Sequence, residues 1–271
     1  MEKKTFIVGK SGKASRIIPR MAEVPYTVFN KSLRKKDVIV NGKRISKDAE
    51  LKAGDAVEIY FAMPERKMFS VLYSDCNIVI VDKNEGCLSE SVFQELKKTF
   101  PDVRFVHRLD RNTSGVMIFA IGDAAERELL AGFKKHAFIK KYRAVVKGKP
   151  VPSENILEAY LKKDENEARV KIFDRPVKGA VPVRTGYKVL SSEGETSVLE
   201  VRLFTGRTHQ IRAHLAYIGY PIVGDGKYGD AEFNKKNGAK SQRLTAFSLG
   251  LAFEKESPLY YLNGKTFVTE K

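Results

Sequence analysis

The chain has 271 residues, 42% of them hydrophobic and 30% charged, enough apolar material for a packed core and too much for wholesale disorder. No run approaches the roughly 18 apolar residues of a membrane span. Met1–Lys10 (MEKKTFIVGK) has neither the apolar stretch nor the small-residue cleavage site of a secretory leader. Forty-nine Lys and Arg against 33 Asp and Glu give a net charge of +16, and a chain this basic is expected to meet a polyanion, nucleic acid first. Cys76 and Cys87 are too few to staple a chain of this size and read as reduced thiols of a cytoplasmic protein.

The positive charge is concentrated at the N-terminus. Roughly half of the surplus lies in residues 1–70, which marks that segment as a separate module. Ser15–Met21 begins a helix in which Pro19 must sit in the first turn or end it. Tyr26–Lys36 is a basic helix. Asp37–Val40 is a short strand, and Asn41-Gly42 is a strong turn signal leading into Lys43–Ile45. Ala53-Gly54-Asp55 turns into the alternating strand Ala56–Phe61. Ala62–Ser70, with Pro64 and a run of charges, reads as a linker. Beyond it, NIVIVDK (77–83), VMIFAI (116–121), YRAVVKG (142–148) and SVLEVRLF (197–204) are strand-like in their β-branched content. Helical patterns lie between them at Ser89–Thr99, Ala124–Lys134 and His209–Ile218. The mixture predicts an α+β fold with a mostly antiparallel sheet.

Three segments carry candidate chemistry. In Val106–Gly115 (VHRLDRNTSG) a polar loop joins two apolar runs, a common setting for a site. Asp110 stands between Arg108 and Arg111, whose charges favour its ionised form where the side chains converge. On local grounds alone the stronger reading of Asp110 is a turn residue. In Arg202–Leu215 a strand runs into Thr205-Gly206 and then a helix capped by Thr208. Arg207 precedes that helix and Arg212 lies about one turn in, an anion site suited to a phosphate or to a carboxylate such as Asp110. His209 and His214 are poorly spaced for a metal and read as hydrogen-bonding or packing residues. In Ile139–Gly148 an alternating strand carries Tyr142, either a pocket residue or a plain core tyrosine.

Residues 14–61 resemble the small S-four-like RNA-binding domain, with a basic helix before the VNG hairpin and a closing GDAV strand. Lys31, Arg34, Lys35, Lys36, Lys43 and Arg44 match its basic, RNA-binding face. HRLDRNTSG, KKYRAVVKG and GRTHQIRAHLAYIGYPIVGDGKYG, in that order, resemble the RluA family of RNA pseudouridine synthases. The resemblance implies an S-four-like α+β module at 1–61, a linker at 62–70 and a catalytic domain at 71–271. The last would be a mostly antiparallel mixed sheet flanked by helices and loops. It implies that Asp110 is the catalytic aspartate, that Tyr142 packs on the target base, and that Arg212 pairs with the aspartate. Arg108 would help extrude the nucleotide and Leu203 would wall the pocket. His107, Arg207, His209 and Gln210 complete the implied substrate-binding set. Two positions depart from the family pattern: Asn84 replaces a proline and Thr245 a histidine.

Pseudouridine formation exchanges an N1–C1′ bond for a C5–C1′ bond and needs no redox change, ATP or metal. The chain accordingly has no Walker loop, dinucleotide fingerprint or Cys/His cluster, and neither cofactor nor metal is expected. The expected partner is RNA, large-subunit ribosomal RNA first and transfer RNA second, with no membrane and no obligate protein partner. The alternative is a non-catalytic RNA-binding or ribosome-assembly factor on the same fold. Retention of Asp110, Tyr142 and Arg212 together favours the enzyme. A hydrolase using Asp with His107 or His209 lacks a recognisable Ser or Cys nucleophile motif.

Overall fold

The computed structural model describes residues 1–63, 67–164 and 167–270, and the chain divides into two compact units, Met1–Arg66 and Lys67–Lys271. The first unit runs β1 (Glu2–Ile7), β2 (Gly12–Lys13), α1 (Ala14–Ala22), α2 (Tyr26–Arg34), β3 (Val38–Val40), β4 (Lys43–Ile45), β5 (Glu50–Leu51) and β6 (Ala56–Phe61). Its antiparallel sheet has the order β1-β6-β3-β4. Val57, Ile59 and Phe61 alternate inward from β6 and pack in one core with Ile18, Phe29 and Leu33 of the two helices. Asn41 and Gly42 both take positive φ, +47° and +76°, the primed turn whose twist matches the β3–β4 hairpin.

Pro19 departs from expectation. It lies inside α1, past the first turn, and the helix continues to Ala22. The missing N–H forfeits one internal bond, while Ala14, Ile18 and Ala22 bury a single face and hold the helix down. The side chains of Lys31, Arg34, Lys35, Lys36, Lys43 and Arg44 are all exposed, and Arg44 Nη1 also donates to the Lys36 carbonyl (2.8 Å).

The second unit begins with β7 (Phe69–Ser74), β8 (Ile78–Lys83), α3 (Ser89–Thr99), β9 (Val103–Arg104), β10 (Ser114–Ile121) and α4 (Gly122–Lys134). It continues with β11 (Ile139–Lys147), β12 (Glu154–Asp164), β13 (Arg169–Phe173), β14 (Val181–Glu193) and β15 (Thr196–Leu203). α5 (Gln210–Tyr217), α6 (Ala231–Lys236), β16 (Leu244–Gly250) and β17 (Thr266–Val268) complete it. Phe69 and Ser70 open β7 inside the stretch expected as linker, of which residues 64–66 lie outside the described residues. Eleven strands form one sheet along the path β13-β12-β14-β15-β11-β16-β10-β8-β7, with β17 on β16 and β9 on β10. β10–β16 is the only parallel pair among the described strands, so the sheet is mixed and mostly antiparallel. Every residue of β8 is buried, because Ile78 and Ile80 face one core while Val79 and Val81 face another. No described helix is long and apolar enough to cross a membrane.

The parallel junction is where the loop 106–113 enters the sheet. Gly115 sits there at φ +110°, and a Cβ on it would lie 2.2 Å from the Ala246 carbonyl oxygen. Gly115→Ala is therefore expected to cost at least about 2 kcal/mol from strain and overpacking. Thermal unfolding should show a fall of about 4–8 °C in Tm; an unchanged Tm would contradict the tight junction. The two departures from the family pattern have local reasons. Thr245 shares a hydroxyl–hydroxyl bond with Ser114 (2.9 Å). Asn84 donates from its backbone N–H to Met68 (2.8 Å) and from Nδ2 to Lys67 (2.7 Å), neither of which a proline can do.

Candidate active site

The loop that carries Asp110 is fixed through its backbone. The Ser89 hydroxyl, at the start of α3, donates to the Leu109 carbonyl (2.8 Å) and accepts the Leu109 N–H (3.1 Å). The fully buried Lys83 ammonium donates to the carbonyls of Asn84, Cys87 and Arg111 at 3.1, 2.9 and 3.1 Å. Thr113 N–H closes a turn onto the Asp110 carbonyl (3.0 Å), and Leu109 is buried in the core beside α3. With the chain held on both sides, the Asp110 side chain reaches a cleft of about 700 Å³ that Tyr142, Leu203 and Arg212 also line.

Arg212 organises the charges. It is the third residue of α5, and its Nη1 donates to Asp110 Oδ2 (2.7 Å). Nε and Nη2 meanwhile grip Asp225 at Oδ2 (2.7 Å) and Oδ1 (2.9 Å). Asp225 is completely buried and also accepts the N–H groups of Lys227 (2.8 Å) and Tyr228 (3.1 Å). Burial alone would push its carboxyl up. The Arg212 bonds and charge, with those two N–H groups, outweigh burial and hold it below the ordinary 3.8. One carboxylate thus anchors the guanidinium, which presents its remaining edge to the second. Asp110 Oδ1 has no hydrogen-bond partner among the described residues.

Asp225 was not singled out from the sequence. Its signal was an acidic residue between glycines, Gly224-Asp225-Gly226, which otherwise reads as a turn. Gly224 has φ +77° with the Ser241 carbonyl against the position of any Cβ, so the chain doubles back there and points Asp225 inward. The arginines beside Asp110 in sequence do not pair with it. Arg108 meets Glu90 at 2.9 Å on the rim, and Arg111 Nε donates to the Gly86 carbonyl (3.2 Å). The cation that does pair comes from 102 residues further along the chain.

Tyr142 projects from β11 into the same cleft and packs against two hydrophobic clusters, one of which contains Leu203. Burial, and then the charge of Asp110, push its phenol up, so it stays protonated near neutral pH. Lys140, one step away on that face of β11, lines the cleft with an ammonium that burial holds below its ordinary value. The sequence analysis did not single it out.

The implied substrate-binding residues divide. His107 Nε2 accepts the Ile118 N–H (3.0 Å) and its ring stacks on Phe133 (4.6 Å). Burial, with Lys140 adding to it, pushes that imidazole down to about 3, so it is a neutral acceptor tying the loop to β10. Gln210 accepts from the Thr205 hydroxyl (2.8 Å) and Arg207 N–H (3.1 Å), and donates to the Arg184 carbonyl (3.1 Å) and Thr185 hydroxyl (3.0 Å). Both of its amide hydrogens are committed to the chain. Arg207 is exposed and, with His209, lines the cleft. α5 begins one residue later than expected, and its cap is His209 in left-handed backbone (φ 54°) rather than Thr208. The Gln210 side chain takes the Arg207 N–H and so closes the turn that leads into the helix. His214 is buried against the Thr185 hydroxyl (3.1 Å), and burial pushes it down to about 4. Among the described residues no group of three or more His, Cys, Asp or Glu is placed to hold a metal ion.

Residues 77–217, which supply most of this cleft, match the model of the RNA pseudouridylate synthase family. Ribosomal large subunit pseudouridine synthase C of Vibrio parahaemolyticus is 31% identical over 265 residues, covering 88% of this chain and 83% of that protein. The Escherichia coli K12 protein of the same name is 34% identical over 238 residues, covering 79% and 74%. Among solved structures, human RNA pseudouridylate synthase domain containing 1 superposes with a TM-score of 0.65 at 25% identity, over 78% of this chain and 86% of that one. By sequence and by fold, then, the chain belongs to the RNA pseudouridylate synthases, enzymes that isomerise uridine to pseudouridine within RNA.

Proposed function

We propose that this enzyme modifies uridines of large-subunit ribosomal RNA, with transfer RNA as the second candidate, and that Asp110 is its essential carboxylate. The observation that carries the reading is the asymmetry of that carboxylate: Arg212 occupies Oδ2, while Oδ1 stands unbonded in the cleft beside Tyr142. An ionised oxygen so placed attacks C1′ or removes a proton from C2′ as the N1–C1′ bond breaks. The uracil then turns, and C5 bonds to C1′ as the Asp110 oxygen leaves C1′ or, on the other route, as the proton returns to C2′; the C5 proton then leaves to solvent. Taking the uridine out of its stack costs a few kcal/mol, offset by stacking and edge contacts in the pocket. The Tyr142 ring suits that stacking. Among the described residues Arg108 is held by one exposed ion pair, worth at most about 1 kcal/mol, so it is readily released to fill the vacated stack. Lys140 and Arg207 add charge for flanking phosphates.

The bacterial relatives are named for the ribosomal large subunit, which supports that RNA as target and the cytoplasm as location. Mapping pseudouridines in ribosomal and transfer RNA from cells with and without the gene tests this. Loss of one or more large-subunit positions is expected, and identical maps would overturn it. In the same reading the N-terminal unit grips RNA backbone through Lys31, Arg34, Lys35, Lys36, Lys43 and Arg44. Replacing Arg34, Lys35 and Lys43 together with alanine should reduce the slope of log affinity against log salt by about 2. The single-turnover rate at saturating RNA should not change. An unaltered slope would remove the grip.

A further inference from the structure

We propose that His209 is a positioning residue for Asp110, a neutral imidazole whose Nε2–H faces Oδ2 and whose tautomer is set by Tyr228. The inference rests on Asp110 being the reacting carboxylate and adds which of its oxygens reacts and what keeps that oxygen free. The Tyr228 hydroxyl oxygen accepts the Val170 N–H (2.8 Å) and lies 3.0 Å from His209 Nδ1. A phenol has one proton to give, and with a backbone donor already on its oxygen that proton goes to Nδ1. A neutral imidazole that accepts at Nδ1 carries its hydrogen on Nε2.

That nitrogen is 3.7 Å from Asp110 Oδ2, the same oxygen that takes Arg212 Nη1 at 2.7 Å. The separation exceeds a hydrogen bond in the free enzyme, and such contacts tighten when substrate closes the site. Burial keeps His209 neutral: it lowers the imidazole, with Arg212 and Lys227 adding to it and Asp110 and Asp225 opposing. A single donor would let the carboxylate swing about its bond to Arg212 and exchange its oxygens. Two donors converging on Oδ2, one from the N-cap of α5 and one from its first turn, remove that freedom and leave Oδ1 aimed at the ribose.

Three variants of the full chain and one spectrum test this. Glutamine places an amide N–H near the position of Nε2, whereas asparagine places it near Nδ1. His209→Gln should stay within about threefold of the wild-type single-turnover rate, and His209→Asn should fall by about tenfold or more. Both rates are taken at saturating RNA, so a change in affinity at this cleft residue does not enter them. A merely structural role predicts the reverse order, because residue 209 has φ 54° and asparagine tolerates that left-handed backbone better than glutamine. Nitrogen NMR of the imidazoles, with the His209 signal identified by its absence in His209→Gln, should show Nδ1 unprotonated and Nε2 protonated. Tyr228→Phe should mix the tautomers and slow turnover by about fivefold. A proton found on Nδ1, or an asparagine variant as active as the glutamine one, would overturn the proposal. Neither result depends on whether Asp110→Asn is inactive, so the two readings fail separately.

Discussion

Replacing Asp225 with asparagine should cost about 3 kcal/mol of folding stability, because it strips the main counter-charge from a buried guanidinium. For a domain of this size that is a fall in Tm of about 6–12 °C. The magnitude follows from the geometry: Arg212 directs two of its three acidic contacts to Asp225, whose side chain is fully buried, and one to Asp110, which is only partly so. The amide offers hydrogens where the guanidinium needs acceptors. The pH dependence has a definite sign. Asp225 is held below its ordinary 3.8 in the folded protein, so the stability it contributes is complete above that value and is lost as pH falls below it. The double variant Arg212→Met, Asp225→Leu separates folding from catalysis. Swapping the buried pair for apolar residues should restore most of the melting temperature, yet activity should stay low because Asp110 has lost its cation. Melting and turnover that recover together, or an asparagine variant that melts with the wild type, would show that the triad does not organise the site.

Asp110→Asn should behave in the opposite way. The loop is held through Ser89, Lys83 and Thr113 and not through the Asp110 side chain, and Arg212 keeps Asp225. Stability should fall by clearly less than for Asp225→Asn, because Arg212 keeps its fully buried two-bond partner. The single-turnover rate should drop by about 10³-fold or more, roughly 4 kcal/mol of transition-state stabilisation, because an amide neither attacks carbon nor removes a proton. Differential melting beside the rate measurement checks both. A rate within tenfold of wild type would remove Asp110 from the chemistry.

Much of the fold was legible because its signals are local. Asn41-Gly42 dictates its hairpin, the period of Ser89–Thr99 dictates its helix, and β-branched runs mark β8, β10, β11 and β15. β12 and β14 were not read, since adjacent apolar residues at Ile156-Leu157 and Val189-Leu190 break the alternation, and Pro182 and Gly186 interrupt β14. In the site, the three motif segments do converge on one cleft, although Asp110 read locally as a turn residue. What sequence adjacency suggested wrongly was the cation. Arg108 and Arg111 are drawn off to Glu90 and the Gly86 carbonyl, while a helix from elsewhere supplies Arg212. Asp225 stayed hidden because pairing across a reversal of the chain leaves no periodic trace. Gln210 lines the cleft, and nothing in the sequence tells that its amide also closes the preceding turn.

The most direct measurement is tritium release from large-subunit ribosomal RNA transcripts labelled at C5 of uridine, in a single turnover with enzyme in excess. Isomerisation must expel that hydrogen, whichever way Asp110 acts. The wild-type chain should release one tritium for each pseudouridine found on nucleoside analysis, and Asp110→Asn, bound to the same RNA, should release none above background. Release by the asparagine variant at the wild-type rate, or binding by the wild type with no release from any ribosomal RNA, would contradict the assignment.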